Sequence, residues 1–157
     1  MKITLVQVGK TTEKYIETGI AEYAKRLQKY VQLDTKTVAY LKNAAVLSTD
    51  ELKKQEGAQI LKFFSPKDFV ILLDESGGSY NSVAFAAQVE KYMVLGNANI
   101  FFVIGGAYGF SPAMLERASA RVSLSPLTFS HQLVRLVFME QLYRAFSILN
   151  HQPYHHQ

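Results

Sequence analysis

Phe101-Phe102-Val103-Ile104-Gly105-Gly106-Ala107-Tyr108-Gly109-Phe110-Ser111-Pro112 decides the fold class. The apolar run from Asn99 to Ile104 predicts a strand covered on both faces, as strands of a parallel sheet are. Gly105-Gly106 ends it, and glycine lets the main chain approach a ligand closely. Ser111 as N-cap with Pro112 in the first helical position opens a helix. In open α/β sheets ligands sit beyond the carboxyl ends of the strands. The turn lacks the Gly-x-Gly-x-x-Gly spacing of a dinucleotide site and the Lys-Ser/Thr of a P-loop. A bare glycine turn is weak evidence by itself.

Outward from this unit the same alternation repeats. Lys2 to Val8 reads as a strand ending at Gly9, rich in β-branched residues. Thr11 or Thr12 caps a helix whose Tyr15, Ile16, Ile20, Tyr23, Ala24 and Leu27 recur at helical spacing. Leu33 to Tyr40 is a second strand and Asn43 to Thr49 a polar loop. Asp50 to Leu61 is a helix with Leu52, Ala58, Ile60 and Leu61 inward. Phe69 to Leu73 is a buried strand, which Asp74-Glu75-Ser76-Gly77-Gly78 closes as a second glycine turn. Asn81 or Ser82 caps a helix to about Leu95. Arg121 to Leu124 is a short strand, and His131 to Leu149 the longest helix, ended by Pro153. The expectation is one α/β domain over residues 1–157, a mostly parallel sheet with helices on both faces.

Composition narrows the chemistry. The chain of 157 residues has no cysteine, which excludes disulfides, thiol catalysis and cysteine-held metals. The net charge of +4 suits a nucleic-acid partner without requiring one. No stretch reaches the ~20 apolar residues of a membrane span, and the N-terminus lacks a signal-peptide core. A soluble cytoplasmic protein with no membrane partner is expected.

Two further segments stand out. Ser123-Leu124-Ser125-Pro126-Leu127-Thr128-Phe129-Ser130-His131 is an uncharged, apolar loop. Such a loop calls for burial against protein or a ligand face such as adenine, whose edge can satisfy main-chain groups. The last helix is apolar around much of its circumference, so it needs a partner beyond the sheet, and a second copy of the chain fits. Its Arg135 and Arg144 read either as partners of a carboxylate such as Glu140 or as contacts to RNA phosphate. Three of the four histidines lie in the tail His151-Gln152-Pro153-Tyr154-His155-His156-Gln157. Pro153 breaks the helical spacing between His151 and His155, so no metal site is expected. Histidine can act as a base or bind phosphate, provided that the tail is docked.

Taken in order, Ile104-Gly105-Gly106-x-x-Gly109-x-Ser111, Leu124-Ser125-x-Leu127-Thr128-Phe129-x-His131, Leu133-Val134-Arg135, Glu140-Gln141-Leu142-Tyr143-Arg144-Ala145 and Tyr154-His155 resemble the bacterial ribosomal large subunit methyltransferase H family, of the SPOUT class. Met1-Lys2-Ile3, Val8-Gly9-Lys10 and Glu22-Tyr23-x-x-Arg26-Leu27 extend the likeness over the whole chain. The resemblance implies a C-terminal trefoil knot, a rare exception to ordinary connection rules. It implies that S-adenosylmethionine binds at Leu73, Gly105 and Leu124, Ser125, Pro126, Leu127, Thr128 and Phe129. It implies a homodimer in which the tail of one subunit reaches the pocket of the other. The implied reaction is N3-methylation of a pseudouridine in 23S rRNA on the assembled ribosome. Tyr154, His155 and His156 are then the catalytic candidates, with His155 as base or orienting group. His156 stands where the family often has Arg or Lys. The family lacks a separate RNA-binding domain, which leaves Lys10, Arg26 and Arg135 as RNA candidates. The alternative readings are a non-catalytic ribosome- or RNA-binding module on the same fold and an ordinary nucleotide-binding enzyme.

Overall fold

The computed structural model describes residues 1–95 and 99–156. Five strands form one parallel sheet in the order β2-β1-β4-β3-β5. They are β1 (Lys2–Val8), β2 (Gln32–Val38), β3 (Phe69–Ser79), β4 (Asn99–Ile104) and β5 (Ala120–Ser123). The helices are α1 (Lys14–Leu27), α2 (Thr49–Leu61), α3 (Ser82–Leu95), α4 (Pro112–Arg117) and α5 (Leu133–Leu149), and a 3-10 turn spans Ala44–Val46.

Strand alternation builds two cores. Ile3 and Leu5 of β1, Ile71 of β3 and Ile100, Phe102 and Ile104 of β4 face α1, α3 and α5. Val6 and Val8, Val70 and Leu72, and Phe101 and Val103 face the other way, toward Ile60 of α2 and Met114 of α4. Ile100 to Ile104 of β4 and Val70 to Leu73 of β3 are thus apolar at every position and read as continuous runs, while β1 also buries Thr4 and Gln7.

Local departures from the sequence reading each have a physical cause. Neither Thr11 nor Thr12 caps α1. Glu13 is the N-cap residue and makes no side-chain cap, while Gln132 pins the segment before the helix from across the fold, its Oε1 accepting from the Thr12 N–H at 2.8 Å. Its Nε2 donates to the Lys10 carbonyl at 3.3 Å. The segment Asp74 to Gly78 does not close β3 as a turn. The strand runs on to Ser79, with an irregularity between Leu73 and Gly78, and pairs again with β5 at Gly78↔Val122. Gly77 permits this, because a Cβ there would meet the Arg121 and Val122 main chain at 2.6 Å. In α2, Ala58 is exposed, while Glu56 and Gly57 are buried beside Ile60.

Other expected caps form. Ser111 Oγ accepts from the Met114 N–H at 3.3 Å, and Asn81 Oδ1 from the Ala84 N–H at 2.8 Å. No helix among the described residues is long and apolar enough to cross a membrane.

Candidate active site

The carboxyl ends of β4 and β5 lie beside the middle of β3, where its pairing breaks after Leu73, so the segments leaving them meet there. They line a cavity of about 550 Å³, within the size range of small-molecule sites. Leu73 comes from β3, Gly105 from the turn after β4, and Leu124, Ser125, Leu127, Thr128 and Phe129 from the loop after β5. These are the positions singled out in the sequence, except that Pro126 is exposed and does not line the cavity. Val134, in the first turn of α5, lines it too.

The loop after β5 is held at its ends and free in its middle. Ser123 Oγ donates to the Ser125 carbonyl at 3.1 Å, and Ser125 Oγ accepts from the Leu127 N–H at 2.9 Å. Thr128 Oγ1 donates to Glu75 Oε1 at 3.0 Å, tying the loop to the extension of β3. Leu127 is 73% exposed, so the apolar loop is not buried against its own chain. Among the described residues, the Leu127 N–H is the one main-chain group from Pro126 to Phe129 with a partner.

The charges of the cavity are one-sided. Asp74 and Glu75 line it together with His131, and no lysine or arginine does. In a chain of net charge +4, this favours a cationic occupant over a phosphate. A sulfonium compound with an adenine fits the set: acidic groups for the cation, unpaired main chain for the base edge, and an apolar rim.

None of Tyr154, His155 and His156 lines this cavity. The tail is docked elsewhere on its own chain, against the middle of α5 at Glu140, Tyr143 and Arg144, ~9–15 Å along the helix from Val134 at 1.5 Å per residue. Tyr154 donates its hydroxyl to Glu140 Oε1 at 3.0 Å, so at 3.3 Å the Tyr23 hydroxyl is the donor to Tyr154. Burial, Tyr23 and Glu140 together push the Tyr154 hydroxyl well above the ordinary phenol range, so it stays protonated. Arg144 Nε donates to the same Glu140 oxygen at 3.1 Å. The Arg144 guanidinium also lies 4.8 Å from the centroid of the Tyr154 ring.

Arg144 Nη1 is 3.1 Å from His155 Nδ1. A guanidinium only donates, so Nδ1 accepts and the ring proton sits on Nε2. That Nε2–H is buried without a partner. With Nδ1 occupied, His155 in this arrangement can donate but has no free lone pair. His156 is exposed, and Gln157 lies outside the described residues.

Of the RNA candidates, Lys10 is exposed. Arg26 is also exposed; it pairs with Glu22 and lies over the Tyr23 and Tyr143 rings, beside the tail. Arg135 is a correction. It is only 1% exposed, donating to the Val8 carbonyl at 2.7 Å and to Thr11 Oγ1 at 3.0 Å. Burial lowers its affinity for its proton, and Tyr40 partly offsets this. It pins the β1–α1 loop to α5 and is not available to phosphate. Among the described residues no group of three or more His, Asp or Glu could hold a metal ion.

Glu56 is a functional candidate that sequence reasoning missed, buried behind the Gly105–Gly109 turn. The available signal was Gly57 in a helix interior, where glycine costs stability without a packing reason. A Cβ at Gly57 would come within 2.6 Å of Ser111 Oγ.

Comparison with known proteins agrees with this architecture. Residues 1–155 match the family model described as "Predicted SPOUT methyltransferase". Proteins named "Ribosomal RNA large subunit methyltransferase H" from Flavobacterium psychrophilum, Phocaeicola vulgatus and Porphyromonas gingivalis are 48%, 46% and 46% identical, each over 100% of both chains. Membership implies the trefoil knot. The chain belongs to the SPOUT methyltransferase family and, within it, to the ribosomal RNA large subunit methyltransferase H family.

Proposed function

We propose that the protein transfers a methyl group from S-adenosylmethionine to N3 of a pseudouridine in 23S rRNA, on the assembled ribosome in the cytoplasm. It does so as a homodimer in which the cavity of one chain is completed by the tail of the other. The observation that carries this reading is the separation within one chain. The cavity has walls for a cationic adenosine compound but no positioned proton acceptor from the tail, and the tail is docked two to three turns further along α5, at Glu140 to Arg144.

A second copy has a surface to meet. Leu133, Leu136 and Val137 are half-buried on α5 and belong to neither core. Arg26, Tyr23 and Tyr143 continue the surface to the tail.

The residues divide the work. Leu73, Gly105 and the main chain of Leu124 to Phe129 hold and orient the cofactor. When bound, S-adenosylmethionine supplies an electrophilic methyl on a sulfonium. Glu140, Arg144 and Tyr23 fix Tyr154 and His155, so the tail is preorganised before the target arrives. The partner's His155 orients the exposed His156 beside it. His156 accepts the N3 proton, an ordinary general-base role. Lys10 and Arg26 face the RNA, where their contribution is electrostatic and weakens with salt.

The test is methyl transfer from labelled S-adenosylmethionine to ribosomes purified from cells lacking the modification. Separated subunits and naked rRNA serve as comparisons. Label at N3 of one pseudouridine supports the proposal. Cofactor binding by a folded dimer with no transfer to any of these substrates would instead favour a non-catalytic module.

A further inference from the structure

Glu56 is the buried ionisable group that this mechanism leaves unused. It is 7% exposed, although its carboxylate oxygens are not among the fully buried atoms that lack a partner. A largely buried carboxyl is costly to keep ionised. Desolvation raises its affinity for its proton. Lys53, one turn earlier, lines the same small hollow, but its ammonium lies 3.8 Å from Asp50.

The far side of the carboxyl meets the cofactor turn. A Cβ on Gly106 would lie 2.5 Å from Glu56 Oε1 and 2.9 Å from Oε2. Gly106 also lines the main cavity. Only the bare main chain of one glycine therefore separates the carboxyl from the cavity. Next to it, Gly57 packs on Ser111, the cap of α4, so α2 is docked firmly behind the turn.

This placement matters because the reaction changes the charge of the occupant. Transfer of the methyl group breaks the S–CH3 bond, the sulfur keeps the electron pair, and the cationic sulfonium becomes a neutral thioether. A fixed negative charge behind the turn discriminates between the two.

We propose that Glu56 is a specificity-determining residue of the cavity, its carboxylate acting through the uncovered main chain of Gly106 to favour the sulfonium donor over the thioether product. This rests on the reading that the cavity takes S-adenosylmethionine.

The test is calorimetric titration of the full-length protein with S-adenosylmethionine and with S-adenosylhomocysteine, at pH 8, for wild type, Glu56→Gln and Glu56→Asp. Glu56→Gln is expected to weaken the sulfonium compound about fivefold, the scale of one screened charge pair. The thioether should change by less than about twofold, and Glu56→Asp should keep the wild-type preference. Equal weakening of both ligands, or none, overturns the proposal. If wild type binds neither compound, the underlying cofactor reading fails instead.

Should Glu56→Gln not fold, the wild-type protein still decides the matter. The Glu56 side-chain carboxyl can be followed by NMR through a pH titration with each ligand bound. The groups around it are Lys53 on α2 and, across the turn, Asp74, Glu75, Tyr108 and His131; they are common to both complexes. The sulfonium complex should titrate Glu56 at lower pH than the thioether complex. Identical midpoints overturn the proposal.

Discussion

The cavity and the tail dock are opposites in construction. At the cavity, the main-chain groups of Pro126 to Phe129 other than the Leu127 N–H lack partners among the described residues, Leu127 is exposed, and the lining carries Asp74 and Glu75 with His131 but no lysine or arginine. At the tail, Glu140 alone accepts from Tyr154 and Arg144, Tyr23 joins them, and the Tyr143 ring packs edge-on to Tyr154 at 4.7 Å. The first region is built to be completed by a ligand, the second to hold still. A reaction that must place a small cofactor against a large RNA divides naturally between them. Preorganisation sits in the tail, and adaptability in the loop.

The largest effect should come from removing the tail. A chain ending at Pro153 is expected to lose about 10³-fold in methyl transfer, the scale of a positioned acid–base group. Its dissociation constant for S-adenosylmethionine should stay within about twofold of wild type, because the proposal assigns the cofactor to Leu73, Gly105 and Leu124 to Phe129 and the tail to the target base. A parallel loss of cofactor binding would break the contrast.

Arg135→Ala should cost about 3 kcal/mol in urea unfolding, because it leaves the Val8 carbonyl and Thr11 without their buried donor. A cost under about 0.5 kcal/mol would return Arg135 to the surface-cation class.

Gly105→Val acts on the cavity alone. Even a Cβ at this position would meet the Phe110 ring at 3.1 Å. Cofactor affinity is expected to fall about fiftyfold with the far-UV spectrum unchanged.

Tyr154→Phe should lower kcat about fivefold at unchanged cofactor affinity, the worth of a lost hydrogen bond to a charged acceptor. A change in cofactor affinity alone would place Tyr154 on the wrong side of the contrast.

The smallest effect concerns pH. Burial holds the folded Glu56 carboxyl above its unfolded value, so its contribution favours folding only while it is protonated. That contribution is lost as pH rises from the unfolded value through the raised folded one. Glu56→Gln should therefore gain stability relative to wild type between pH 4 and 7, by about 1 kcal/mol or less. A difference that shrinks over that range would contradict the sign.

Much of this was legible in the sequence because central parallel strands must be apolar on both faces. Ile100 to Ile104 of β4 and Phe69 to Leu73 of β3 satisfy that at every position, β1 does so apart from Lys2, Thr4 and Gln7, and the glycines after Ile104 mark where the sheet opens. The second half of β3 was not legible. Gly77-Gly78 reads as a turn, and only the approach of the β5 main chain shows that glycine is there to let two strands meet. Arg135 misled for a similar reason, since a charge on a helix reads as solvated until its carbonyl partner 127 residues away is seen. Glu56 sits in a polar stretch, Lys53-Lys54-Gln55-Glu56-Gly57, that carries no periodic signal of burial. The knot is topological, and no local pattern encodes it. The cofactor residues and tail histidines came from the ordered motif set, and the structure supplies their separation.

That separation is tested most directly by mixing two disabled proteins. One carries Gly105→Val, which blocks the cavity but keeps the tail; the other ends at Pro153, which keeps the cavity but lacks the tail. If each site is shared between chains, subunit exchange forms dimers with one complete site, and the mixture regains about a quarter of wild-type methyl transfer to ribosomes. A mixture that forms heterodimers yet stays as inactive as its two components would show that the cavity and the tail must belong to the same chain.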